Sequence, residues 1–106
     1  MWRIDKGSKN GTTTASYASA LDWQIDELRE KTIVFKNTHS SFSLKYKLLA
    51  YASFDGNAGE EVGETTLAPG EIAKMQLIKQ WARLVLQVID GSGQATYQVD
   101  YIGQGA

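Results

Sequence analysis

Apolar and polar positions alternate along most of this chain with the period of two that marks a strand with one buried face. Leu21, Trp23 and Ile25 alternate with Asp22, Gln24 and Asp26, although a helix through Leu21, Ile25 and Leu28 fits the same residues. Thr32 to Asn37 (TIVFKN) is a strand by its β-branched and aromatic content. In the run from Phe42 to Phe54, Phe42, Leu44, Tyr46 and Leu48 share one face, and Ser43, Lys45 and Lys47 share the other. Val62 to Leu67 and Ile72 to Leu77 read as two further strands, joined by an Ala68-Pro69-Gly70 turn in which Gly takes a positive φ. Ala82, Leu84, Leu86 and Val88 form one face of the next strand. Val85 and Ile89 on its other face predict a central strand covered on both sides. Asp90-Gly91-Ser92-Gly93 predicts a hairpin turn, after which Ala95, Tyr97, Val99 and Tyr101 line one face of the last strand. The sum is an all-β chain: a single antiparallel β-sandwich, immunoglobulin-like or jelly-roll-like, of about seven to eight strands.

The first twenty residues break this pattern. Gly7 to Ala20 reads GSKNGTTTASYASA, small and polar, with little apolar area to offset the entropy of ordering it. Residues 1–20 are therefore expected to be an N-terminal arm, flexible or ordered by a neighbouring subunit, and residues 21–106 the β-sandwich domain. Trp2, Ile4 and Tyr17 are large side chains on this polar segment and would be its anchors at an interface. Gly103-Gln104-Gly105-Ala106 is expected to fray.

Composition narrows the chemistry. The chain has 106 residues, enough for one core, with eleven basic side chains against twelve acidic ones. That balance argues against nucleic acid as the partner, because phosphate contacts want clustered Lys and Arg. Having no Cys excludes disulfides, thiolate metal sites and a Cys nucleophile, and a single His excludes His-pair metal sites. No segment approaches the roughly 20 apolar residues that span a bilayer. The first residues, MWRIDK, lack the layout of a secretory signal, which predicts synthesis in a cytoplasm without export by that route.

Candidate sites are few. His39 lies among Thr38, Ser40 and Ser41 with no orienting acid or nucleophile elbow nearby, so catalysis by it is rejected. Asp55, Asn57, Glu60 and Glu61 offer oxygen ligands in a Gly-containing loop without the twelve-residue calcium pattern. Asp22, Asp26, Glu27 and Glu30 are interleaved with Arg29 and Lys31 and read as a solvated face. Lys36, Lys45 and Lys47 are placed on an outer face, with Phe42 and Tyr46 pointing the other way, which separates charge from any stacking platform. Trp81 precedes a strand and is either an exposed contact residue, a plug closing the end of the sandwich, or part of a sugar platform. No catalytic, cofactor or metal residue is assigned. The candidate interface residues are Trp2, Ile4, Tyr17 and Trp81.

From about Leu21 to Gly103 the order of features is Thr-Ile-Val-Phe-Lys-Asn-Thr, Ser-Leu-Lys-Tyr-Lys-Leu, an Asp55-Gly56 turn, Thr-Leu-Ala-Pro-Gly-Glu, Arg-Leu-Val-Leu-Gln-Val and a closing Tyr-Ile-Gly. This grammar resembles the small β-sandwich virion proteins of tailed bacteriophages that decorate capsids or tails. The resemblance implies a non-enzymatic structural protein, located in the virion after synthesis in the host cytoplasm. Its implied partners are copies of itself and other virion proteins, with no nucleic acid, membrane or cofactor. It brings no active site with it. The alternative is a carbohydrate- or protein-binding β-sandwich module.

Overall fold

The computed structural model describes residues 3–25, 28–53, 56–78 and 81–105. It contains eight strands: β1 (Arg3–Thr12), β2 (Ala18–Gln24), β3 (Glu30–Asn37), β4 (Leu44–Tyr51), β5 (Ala58–Leu67), β6 (Ile72–Leu77), β7 (Arg83–Asp90) and β8 (Thr96–Gly105). They form two four-stranded antiparallel sheets, in the orders β1-β8-β3-β6 and β2-β7-β4-β5. Here they are called the first and second sheet. Pairing runs β4 with β5, β3 with β6, β2 with β7 and β1 with β8. The chain is thus one long antiparallel ribbon, with its tip between β4 and β5, whose successive pairs fall alternately in the two sheets. Rolling that ribbon brings β8 against β3 and β7 against β4. This is the jelly-roll topology, the second of the two sandwich types expected.

The alternation seen in the sequence fills the space between the sheets. Ile33 and Phe35 of β3, Leu44, Tyr46 and Leu48 of β4, Leu84, Leu86 and Val88 of β7, and Val99 of β8 are all buried there. Phe35 anchors the centre, edge-on to Tyr46 at 5.3 Å and tilted against Tyr97 at 5.7 Å. Val85, on the opposite side of β7, is also buried, and β7 lies between β2 and β4 as its doubly apolar pattern predicted. Leu21 to Gln24 are strand, which decides between the two readings of that segment; Asp26 and Glu27 lie outside the described residues.

Four expectations are corrected. Residues 3–12 are not a lead-in outside the sandwich, because β1 pairs with β8 along its whole length, from Arg3 opposite Gly105 to Thr12 opposite Thr96. Its glycines, which suggested flexibility, are required by packing. A Cβ at Gly11 would come within 2.6 Å of the Tyr97 hydroxyl, and one at Gly7 would collide with Tyr101. The tail does not fray at Gly103. β8 continues to Gly105, and Gly103 is covered so closely that a Cβ there would lie 2.7 Å from Leu28 and 2.9 Å from the Trp23 ring. The Asp90 to Gly93 turn makes no hairpin but carries the chain from β7 in the second sheet to β8 in the first. Lys45 and Lys47 share the outer face of the second sheet, but Lys36 lies on β3 in the first, so the three lysines form no common face.

Two buried polar residues close the ends of the roll. Thr13 is fully buried, donates its hydroxyl to Asp90 at 2.5 Å and accepts from Ala95 N–H at 2.9 Å, tying the β1–β2 link to the β7–β8 link. Asn37, also fully buried, donates through Nδ2 to the carbonyls of Phe42 (2.9 Å) and Leu67 (3.1 Å) and accepts from His39 N–H at 2.9 Å. Its backbone carbonyl accepts from Gly70 N–H at 2.9 Å, joining the loop after β3 to the turn between β5 and β6. In that turn Glu71 N–H donates to Ala68 carbonyl at 3.0 Å and Gly70 has φ of 77°, the geometry of a type II turn.

Replacing Asn37 with Ala leaves two carbonyls and one N–H without their partner and should destabilise the fold by about 3 kcal/mol. Gly70→Ala, which meets no steric obstacle, should cost only about 1 kcal/mol from its positive φ. Urea unfolding midpoints of the two variants test that ranking.

Candidate functional site

The outward residues of the first sheet form a grid fixed by its registers. Lys6, Ile102, Thr32 and Gln76 lie in one row across β1, β8, β3 and β6, and Ser8, Asp100, Val34 and Lys74 lie in the next. Ile4, Gln104 and Glu30 flank this pair of rows at one end; Asn10, Gln98, Lys36 and Ile72 flank it at the other. Neighbouring strands are about 4.8 Å apart, so the four columns span roughly 15 Å. Four of the exposed large apolar side chains belong here: Ile4 (58% exposed), Ile72 (48%) and Ile102 (48%), with Ile78 (78%) just beyond the end of β6. A trough of about 520 Å³ runs over the middle of this face, lined by Lys6, Ser8, Thr32, Val34, Asp100 and Ile102 among others. Two smaller depressions of about 120 and 210 Å³ adjoin it around Glu30 and Thr32. The trough has an apolar floor of Val34 and Ile102 with Lys6 and Asp100 beside it, and Ile4, Ile72 and Ile78 stand apart toward the corners of the face.

The outer face of the second sheet has the opposite character. Arg83 donates through Nε (2.7 Å) and Nη2 (2.6 Å) to both carboxylate oxygens of Asp22, and its guanidinium lies 4.9 Å from the Tyr51 ring centroid. The Arg83 hydrogen bonds hold the Asp22 carboxyl below its usual range, against a smaller opposing effect of burial. Tyr17 lies over Lys47, whose Nζ is 4.3 Å from the ring centroid, and donates its hydroxyl to Glu64. Lys45 is 3.9 Å from the same Glu64. These charges are neutralised within the chain, which leaves this face polar and self-satisfied.

The candidate interface residues are therefore not brought together. Ile4 lies on the outer face of the first sheet, and Tyr17 lies on that of the second, engaged with its own chain. Trp81 packs half-buried against the core, with its indole N–H buried and without a hydrogen-bond partner among the described residues. Trp2 lies outside the described residues. Trp23 is a core residue whose Nε1–H donates to Asp5 at 2.9 Å. His39 organises its own loop, accepting at Nδ1 from Ser41 and Phe42 N–H (both 3.0 Å) and stacking on Phe42 at 4.9 Å. Asp55 lies outside the described residues, and among those described no group of three or more His, Asp or Glu could hold a metal ion. Lys31, read from the sequence as solvated, is buried and donates to the carbonyls of Leu28 (3.2 Å) and Arg29 (3.4 Å); burial lowers its pKa. Ile72, Ile78 and Ile102 are exposed without having been expected at the surface. The signal was present in Ile102, which interrupts the otherwise polar outward series Gln98, Asp100, Gln104.

No protein-family model matches the chain, and no curated protein matches it. Solved structures do share its fold. A protein of the Bacillus endospore appendages, described as disulfide-linked pili, is 14% identical with a TM-score of 0.68, covering 99% of this chain and 88% of that one. The Yersinia pseudotuberculosis-derived mitogen is 14% identical with a TM-score of 0.63, covering 92% and 84%. The VP2 subviral particle protein of infectious bursal disease virus is 11% identical with a TM-score of 0.54, covering 97% of this chain but 32% of that one. At such identities the likeness is one of fold.

Desolvation, then the hydrogen bond to Glu64, pushes the Tyr17 pKa up from 10.0 to about 12. A phenol whose folded pKa is raised contributes stability that is complete below pH 10 and is lost as pH rises through 12. Thermal melts should show wild type above Tyr17→Phe at neutral pH, with the gap closing across that alkaline window. An unchanged gap would show that Tyr17 does not titrate in contact with Glu64. Tyr97, raised by burial, and Lys31, lowered by it, are common to both proteins and cancel in the difference.

Proposed function

We propose that the protein is a non-enzymatic structural subunit of a repetitive protein assembly, of the kind that stabilises or decorates a phage-like particle. One observation carries this reading: the outer face of the first sheet holds a trough floored by Val34 and Ile102, with Ile4, Ile72 and Ile78 exposed elsewhere on or beside that face, while the opposite face binds its charges in its own ion pairs. An apolar trough rimmed by polar groups more often marks an interaction surface than a free one. The fold supports the same reading, since similar sandwiches occur in a pilus and in a viral particle. Its partners would be further copies of itself or other particle proteins. This chain has no cysteine and contributes no disulfide to such a contact, so packing and charge must hold it.

The test is binding and assembly of the full chain, followed by light scattering and by co-sedimentation with its native particles. Ile102→Asp places a charge at the middle of the face without touching the core and should weaken binding by at least tenfold while leaving the melting temperature nearly unchanged. A wild type that stays monomeric at all concentrations and ignores particles would sink the structural reading. Deleting residues 1–20, which suits a free arm, is a poor test here because it strips β1 from β8.

The alternative, a carbohydrate- or protein-binding module, draws on the same trough, whose polar groups are Lys6, Ser8, Thr32 and Asp100. Trp81 lends it no aromatic platform, being packed on the core. Saturable binding on a glycan array, abolished by Asp100→Ala and untouched by particle competition, would favour it.

A further inference from the structure

Each sheet ends in two unpaired strand edges: β1 and β6 in the first, β2 and β5 in the second. β1 lies beside β2, as the 2.9 Å hydrogen bond from Trp23 Nε1–H of β2 to Asp5 of β1 shows. β5 and β6 are joined by the tight turn Ala68 to Glu71 and occupy the other side. The sandwich thus has two lateral edges, β1/β2 and β5/β6, and they are oppositely charged. β1 carries Arg3, Lys6 and Lys9, and its single acid, Asp5, is engaged by Trp23. β5 carries Glu60, Glu61 and Glu64 and no basic residue, Glu64 being engaged by Lys45 of β4 and by the Tyr17 hydroxyl. The one acid of β2, Asp22, is neutralised by Arg83, and β6 contributes only Lys74.

Strand direction agrees with charge. An antiparallel sheet of four strands has outer strands that run in opposite senses, so a second copy displaced sideways without rotation presents β6 antiparallel to β1. It presents β5 antiparallel to β2 in the same way. The pairings of β1 with β8 and of β6 with β3 have no register shift, so both strands offer straight ladders outward, whereas β5 is bulged twice against β4. The ladder would accordingly belong to β1 and β6, and the attraction to the acidic β5 beside it. The β1 edge is ten residues long and unbulged, where edge strands are ordinarily short, bulged, covered or charged, and its lysines would admit only an acidic neighbour.

We propose that the β1/β2 edge of one copy docks on the β5/β6 edge of the next, in a head-to-tail contact between identical chains. This rests on the structural role proposed above and assigns the contact through which copies join. A head-to-tail interface uses two different patches and therefore repeats, into a ring if its rotation closes and a filament if it does not.

Charge reversal tests it on the full chain. Lys6→Glu/Lys9→Glu makes both edges acidic, and Glu60→Lys/Glu61→Lys makes both basic; thermal melts check that each remains folded. Light scattering and negative-stain microscopy should show wild-type assembly weakening as salt rises, and each variant alone assembling at least tenfold less readily. An equimolar mixture of the two should recover assembly, because every contact in an alternating chain again joins opposite charges. Variants that assemble as well as wild type, or a mixture that fails to recover, overturn the edge contact while leaving the structural role intact. A wild type that never self-associates yet binds particles overturns the edge contact too; one that does neither overturns both.

Discussion

Everything in this molecule hangs on the pairing of its two ends. β1 has no neighbour in its sheet except β8, and β8 is held in turn between β1 and β3. The first described residue, Arg3, sits opposite Gly105, so the ladder that completes the first sheet joins parts of the chain almost its full length apart. Closing such a loop is entropically expensive, and no local propensity compensates for it. The compensation lies in the ribbon pairs formed before it and in the buried hydrogen bonds of Thr13 and Asn37, which hold the sheet-crossing links at the correct ends.

That dependence explains which parts of the fold were legible in the sequence. β3, β6 and β7 were plain because their alternation is a local property of apolar side chains packing against one core. The Pro69-Gly70 turn was equally plain, because its torsions are set by the residues themselves. β1 was not. Its residues bury almost no apolar area, and its order comes from backbone bonds to a strand more than eighty residues later. Glycine was the recurrent source of error. Gly7, Gly11 and Gly103 suggested mobility, yet each marks a place where an aromatic ring lies directly over the backbone. The Asp90 to Gly93 turn misled for a related reason, since turn chemistry says that the chain reverses and not which sheet it enters.

The surface was legible in part. Ile4 was singled out for being large on a polar segment, and it does lie on the apolar face, though as a strand residue and not as the tip of an arm. Tyr17, chosen on the same argument, is bound to Glu64 and Lys47 of its own chain. The two differ only in what the fold places beneath them, which no local pattern encodes. Lys31 makes the converse point: a charge in a charged run, carried inside by the phase of β3 and satisfied there by backbone carbonyls.

The single attachment of β1 also has a consequence for synthesis. A ribosome delivers β1 first and β8 last, so ten residues of edge strand wait without their partner while the rest of the chain emerges. The core pairs of the ribbon, β4 with β5 and then β3 with β6, can close in that interval. When β8 is made, the tether of the shared chain presents it to its own β1 at a high effective concentration. The first sheet is thus the last to be completed, when β8 arrives to take β3 on one side and β1 on the other.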